Sequence, residues 1–271
     1  MSFLKLTDVG FTYPNGFEAT QHVSVAFELG ETVAIVGQNG AGKTTTVKLM
    51  NGLLRPTKGE LFIDGKPTNT MTTAQMSKYV GYVFQNPDDQ IFQETIEKEI
   101  AFGPKRQKLA PEVVEKRVRE AAALCGLSDE LKEHPYNLPY SKRKFITIAA
   151  VIAMDPEVII LDEPTAGQDR ESRQLLGRLM KELSARNKAV ITITHDMEFV
   201  AKEFQRVLVF AKKQLRKDGT PREIFWDESL LELSALKQPY ICQLAKAVGI
   251  QDVLTMEELG KKVLANEKYS D

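Results

Sequence analysis

Three short runs of alternating or β-branched apolar residues open the chain, at residues 3–9, 23–27 and 32–36. The turn formers Pro14-Asn15-Gly16 and Leu29-Gly30 separate them, so the pattern predicts three strands. The third runs into a glycine-rich turn. A helix is predicted after that turn over residues 44–53, then a strand over 60–63 that ends in the turn Asp64-Gly65. From about Ala101 to Ala153 the period becomes helical: in PEVVEKRVREAAALCGL, Val113, Val114, Val118 and residues 121–124 favour one face. VIILDEP and AVITITH return as fully apolar, β-branched strands of the kind buried on both faces of a parallel sheet, with a helix predicted between them over residues 170–185. Beyond Lys217-Asp218-Gly219 the spacing is helical again, with a Lys/Glu-rich end expected to fray. Alternating strands and helices define an α/β core.

Composition agrees with a globular protein. The 271 residues are 42% hydrophobic and 27% charged, with 36 Lys+Arg against 37 Asp+Glu. That balance argues against a dedicated nucleic-acid binder, which carries a basic surplus. Cys125 and Cys242 are too few and too far apart for a zinc site or a disulfide framework, which favours a reducing, cytosolic setting. The N-terminus shows no secretory signal, and no apolar run approaches the roughly 20 residues that span a bilayer. Work at a membrane would require another protein to cross it.

GQNGAGKT, residues 37–44, follows the strand TVAIV, precedes a helix, and fits the phosphate-loop pattern G-x-x-x-x-G-K-[ST]. Gly37, Gly40 and Gly42 let the backbone turn its N–H groups toward phosphate oxygens, and the helix N-terminus adds its positive dipole end. With Asn39 and Thr45 they make up the candidate cradle. Lys43 is placed to reach the β- and γ-phosphates of a nucleotide and Thr44 to ligate Mg²⁺. A second acidic motif ends the strand VIIL: Asp162 is expected to hold the metal through its water shell, and Glu163 to accept a proton from the attacking water.

In the order and spacing of these motifs, residues 3–209 resemble the ATP-binding cassette family. The match includes Gln85 in YVFQN, similar to the Q-loop; AGQD at residues 166–169, similar to the D-loop; and His195 in TITHD, which resembles the switch histidine. Tyr13, in FTYPNG, falls where that family stacks an aromatic on adenine. The resemblance implies a core with an N-terminal antiparallel β subdomain over residues 1–216, a helical subdomain inserted at about 86–156, and a C-terminal helical extension over 217–271. It makes Gln85 a nucleotide and metal contact and His195 a catalytic residue beside Glu163 and Lys43. QNPDDQIFQETIEKEIAFGP and FAKKQLRKDGTPREIF further resemble ATPases of energy-coupling factor importers, which take up vitamins and transition-metal ions such as cobalt and nickel. The implied partners are a second ATPase subunit, a transmembrane coupling subunit and a substrate-binding membrane subunit, at the cytoplasmic face of the membrane. Asp88, Asp89 and Gln90 suggest an acidic lip suited to a basic partner helix.

Such ATPases sandwich ATP between one chain's phosphate loop and the other chain's LSGGQ signature. The family's spacing back from Asp162 puts that signature at residues 138–142, which read LPYSK. Pro139 replaces the serine and brings neither hydroxyl nor N–H, while Tyr140 and Ser141 replace glycines. A shifted register would give Ser141 the serine's role and offer Lys142, Arg143 and Lys144 to a phosphate, at the expense of a two-residue shortening. An intact phosphate loop beside a degraded signature implies an asymmetric heterodimer. The alternatives are a cassette ATPase outside transport, or a regulatory nucleotide-binding subunit with little hydrolysis. The tail, with Leu230, Leu231, Leu233, Leu236, Ile241, Leu244 and Val248 at helical spacing, suits dimer contacts and packing on its own core equally.

Overall fold

A computed structural model describes residues 2–267. In chain order its strands are β1 (Leu4–Thr12), β2 (Glu18–Phe27), β3 (Thr32–Gly37), β4 (Lys58–Ile63), β5 (Lys66–Pro67), β6 (Val80–Val83), β7 (Val158–Asp162), β8 (Ala189–Ile193), β9 (Arg206–Ala211) and β10 (Gln214–Gly219). The helices are α1 (Lys43–Met50), α2 (Thr73–Met76), α3 (Ile96–Arg106), α4 (Pro111–Leu124), α5 (Tyr140–Ala153), α6 (Arg170–Ala185), α7 (Met197–Glu203), α8 (Pro221–Phe225), α9 (Glu228–Ser234), α10 (Tyr240–Ala247) and α11 (Met256–Glu267).

Two sheets form. An antiparallel one has the order β2-β1-β4-β5, and a larger one the order β10-β9-β3-β8-β7-β6, in which β9, β3, β8, β7 and β6 run parallel. Strict alternation along the parallel strands supplies two cores. Val36, Ile159, Leu161 and Val190 face the helices, whereas Ile35, Ile160, Ile191 and Phe210 face the antiparallel sheet and α1. Both faces are covered, which is why these strands read as unbroken apolar runs.

β1 and β2 run further than their apolar patterns predict, because register shifts between Leu6 and Thr12 break the alternation. Asp8 and His22 take left-handed backbone angles there, φ 50° and 52°. The turn Asp64-Gly65, with both φ positive, closes a two-residue hairpin between β4 and β5. Helix α6 spans the predicted residues; its N-cap Asp169 accepts a hydrogen bond from Ser172 N at 2.8 Å.

In the tail, Ile224, Phe225, Leu230, Leu231 and Cys242 join the chain's own core, while Ala245, Ile250, Val253 and Leu259 form a small second cluster with Trp226. Arg222 ties these clusters together, binding the Asp252 carbonyl and carboxylate and Glu258. Leu233, Leu244 and Val248 remain exposed, so own-core packing accounts for some of the tail's apolar residues and not the rest. The Lys/Glu-rich end expected to fray lies, past residue 267, outside the described residues. Both cysteines are buried, and burial pushes their thiols up, as suits inert packing residues. Among the described residues no helix is long and apolar enough to cross a membrane.

Candidate functional site

A cavity of about 500 Å³ opens at the carboxyl end of the parallel strands. Every residue assigned to the nucleotide site from the sequence except Gly37 lines it: Tyr13, Asn39, Gly40, Gly42, Lys43, Thr44, Thr45, Gln85, Asp162, Glu163 and His195. Gly37 is the floor beneath. It ends β3 at φ 144°, where an added Cβ would lie 2.1 Å from the Phe210 carbonyl oxygen of β9. Gly37→Ala therefore must push β3 and β9 away from each other, and a destabilisation of about 3 kcal/mol or more is expected in urea unfolding. Gly42, at φ 98°, starts α1 without a side-chain cap, and a Cβ there would meet the Ala19 carbonyl at 2.8 Å. The uncapped helix start thus faces the cavity.

Lys43 is buried and donates from Nζ to the carbonyls of Gly37 at 2.7 Å and Gln38 at 3.0 Å, which aims its charge across the loop. Burial lowers its pKa, and Glu163 and Asp162 act in the opposite sense. The wall opposite is acidic. Asp162 ends β7 and accepts a 2.5 Å hydrogen bond from the Tyr82 hydroxyl of β6; burial and this carboxylate push the phenol far up, so it stays protonated. Tyr82 was not singled out from the sequence.

Glu163 follows with φ 47°, a left-handed conformation costly for a residue with a side chain. Its N–H donates to the Ile193 carbonyl at 2.9 Å, and its carboxylate accepts the backbone N–H of His195 at 3.2 Å, which turns the side chain into the cavity. His195 Nε2 lies 3.3 Å from Glu163 Oε1. Burial raises the Glu163 carboxyl to about 7, and burial together with the charge of Lys43 lowers the His195 imidazole, so the histidine is neutral at pH 7. A Thr165–Thr194 hydroxyl contact at 3.0 Å and an Arg173–Asp196 ion pair at 3.1 Å brace the loops on either side. At the other end Tyr13 packs edge-on against Phe11 and near Phe17, a further lining residue whose ring carries the Lys213 ammonium at 4.5 Å.

Helix α5 starts at Tyr140 with Pro139 at its N-cap and no side-chain cap. Its basic residues are engaged within the chain: Lys142 with Glu130, Arg143 with Asp88 at 2.8 Å, and Lys144 with the carbonyls of Phe84 and Gln85. That leaves the shifted register without free cations for a phosphate. It also revises the acidic lip, since Asp88 is neutralised by Arg143 and the Gln90 amide oxygen accepts Phe84 N–H at 3.0 Å. Tyr140 packs over Gly167, where an added Cβ would meet its ring at 3.2 Å.

A narrow cleft with amide N–H groups and a lysine at one end, a raised carboxyl and a neutral histidine beside them, and a flat aromatic wall at the other end suits a nucleoside triphosphate. The fold and this cavity define a P-loop nucleotide hydrolase. Residues 20–166 match the family model described as ABC transporter, and the chain belongs to that family as an ATP-hydrolysing subunit of the energy-coupling factor type. It is 38% identical over 259 residues to the energy-coupling factor transporter ATP-binding protein EcfA of Methanocaldococcus jannaschii, covering 95% of this chain and 93% of that one. To the EcfA of Methanothermobacter thermautotrophicus it is 37% identical over 270 residues, covering 99% and 86%. Among solved structures it is similar to cbiO1 of Clostridium perfringens, described as part of the ABC transporter complex cbiONQ, with a TM-score of 0.78 at 30% identity over 90% of this chain and 99% of that one.

Proposed function

We propose that this chain powers uptake of a vitamin or transition-metal ion as one half of an asymmetric ATPase pair, bound at the cytoplasmic face of the membrane to a coupling subunit and a substrate-binding subunit. The observation that carries the asymmetry is the contrast between its two ends. Its own phosphate loop, Glu163 and His195 converge on one cavity, whereas the start of α5 offers a proline and an exposed tyrosine ring where a phosphate would need N–H groups and a hydroxyl. Hydrolysis then occurs at this chain's loop, completed by the partner's signature, and the reciprocal site binds nucleotide but turns over slowly.

In this reading Lys43 and the loop amides from Asn39 to Thr45 hold the triphosphate, Tyr13 takes the adenine, Glu163 removes a proton from the attacking water, and the neutral His195 orients that water or the γ-phosphate. The oxygen donors Thr44, Gln85 and Asp162 fit magnesium. Among the described residues no three His, Cys, Asp or Glu gather into a metal site of their own. Held by Thr44, Gln85 and Asp162, magnesium would supply positive charge to the phosphates. For the membrane partner, the exposed Phe92–Phe102 pair, stacked edge-on at 4.7 Å just beyond the Gln85 loop, is a better anchor than the neutralised Asp88.

ATP turnover of the chain alone and mixed with its partner ATPase tests the asymmetry. The lone chain is expected to hydrolyse at no more than about a tenth of the rate of the pair. Equal rates would overturn the proposal.

A further inference from the structure

β6 and β7 run side by side in parallel, with Tyr82 paired to Ile160. Side chains alternate between the faces of a strand, so Asp162, two residues beyond Ile160, stands on the same face as Tyr82 and one step nearer the carboxyl ends. A phenol is long enough to bridge that diagonal. Its hydroxyl donates to Asp162 Oδ2 at 2.5 Å. Asp162 is 5% exposed and closes β7 at the wall of the nucleotide cavity. The Tyr82 ring is half-buried, packed against the core that faces the antiparallel sheet and edge-on to Phe84 at 5.2 Å. A phenol in such a place needs a partner for its hydroxyl. The partner it has is a carboxylate counted among the oxygen donors that fit magnesium, and turning that carboxylate about its last torsion breaks the contact.

We infer that Tyr82 is a positioning residue for the divalent metal: its hydroxyl holds the Asp162 carboxylate in one orientation and so raises the affinity with which magnesium joins the nucleotide. The inference rests on the reading of Asp162 as a magnesium ligand and deepens it. A ligating carboxylate is itself held by hydrogen bonds, and losing such a partner costs about tenfold or more in metal affinity. Phenylalanine at this position would keep the ring packing and leave the carboxylate to swing. Tyr82 also precedes Gln85 by three residues on the same strand exit, so a side chain as well as the sheet registers the oxygen donors of β6 and β7 against each other.

The test is the Kd of the full chain for β,γ-imido-ATP, which is not hydrolysed, measured by calorimetry with excess Mg²⁺ and with EDTA in its place. The ratio of the two, metal-free over metal-loaded, reports what magnesium adds. It is expected to be about a hundred in wild type and about ten in Tyr82→Phe, with the metal-free Kd within about twofold. Asp162→Asn is expected to lower the ratio to about ten or below, and adding Tyr82→Phe to it should change little further, because both act through one carboxylate. A packing role alone would lower the melting temperature and move both Kd values together. A ratio unchanged in Tyr82→Phe while Asp162→Asn collapses it would overturn the inference and leave the magnesium site standing. So would a Tyr82→Phe effect of full size in the Asp162→Asn chain. A ratio near one in wild type would remove the magnesium reading and the inference with it. Should Tyr82→Phe fail to fold, Tyr82→Met, which fills the space without a donor, decides.

Discussion

Replacing Glu163 by Gln in the paired ATPase is expected to lower turnover about a hundredfold or more while ATP still binds. The amide keeps the size of the side chain and can still accept the His195 N–H, which lies 3.2 Å from the carboxylate. Only the proton acceptor is lost. Because burial lifts the carboxyl to about 7, wild-type kcat/KM should rise through that pH and level off above it. The same group makes a stability prediction of definite sign. Its folded pKa of about 7 exceeds the ordinary 4.5, so between these values the folded chain retains a proton that the unfolded chain has released. Stability therefore falls as pH rises through that window. Glu163→Gln carries no ionisable group there, and its melting temperature should gain on wild type at about pH 8 relative to about pH 5. A ratio of turnovers below about tenfold, or melting differences that do not change with pH, would count against Glu163 as the base.

Restoring a serine and two glycines at the start of α5, by Pro139→Ser with Tyr140→Gly and Ser141→Gly, is expected to raise turnover of the lone chain about tenfold or more. The chain's own loop, base and histidine already converge on one cavity, so under the proposed asymmetry what a pair of identical chains would lack is the half supplied from across the interface. Serine at the N-cap returns a hydroxyl and an N–H where Pro139 has neither, and Gly in place of Tyr140 clears a ring that now rests on Gly167. The glycines weaken the first turn of the helix by about 1 kcal/mol each, and the serine cap returns about as much as one of them costs. The added rate should grow with the square of chain concentration, because two copies must meet. Two copies that associate on ATP and still do not turn over would show that the obstacle lies elsewhere than in residues 139–141.

What the sequence reveals here depends on how far apart the interacting residues lie. The glycine-rich loop is legible because its residues are consecutive and act through the backbone. β7 and β8 are legible because burial on both faces leaves a continuous apolar run, and α6 because Asp169 and the helical period mark its start and extent. β1 and β2 are less fully legible, since bulges at Val9 and Phe11 disturb the alternation and polar residues fill the start of β2. Tyr82 meets Asp162 across 80 residues of sequence, and Lys144 meets Gln85 across 59. No local pattern marks either. Within SKRK, Lys144 reads as one of three cations that a shifted register would offer to a phosphate, although it occupies the buried face of its helix. The acidic lip loses one of its two carboxylates for the same reason, because the cation that pairs with Asp88 comes from α5, 55 residues on.

Gly37 closes β3, Asp162 closes β7, His195 comes two residues after β8, and Gln85 two residues after β6. These are four adjacent parallel strands that release their residues at one edge. The sideways distances between them are consequently metered by the interstrand spacing of about 4.8 Å, a ruler that backbone hydrogen bonds hold to tolerance. Gln85 alone among the four also has its carbonyl gripped by α5. A load borne by that helix during transport can thus reset one graduation of the ruler while the lysine, the carboxylates and the histidine stay in calibration.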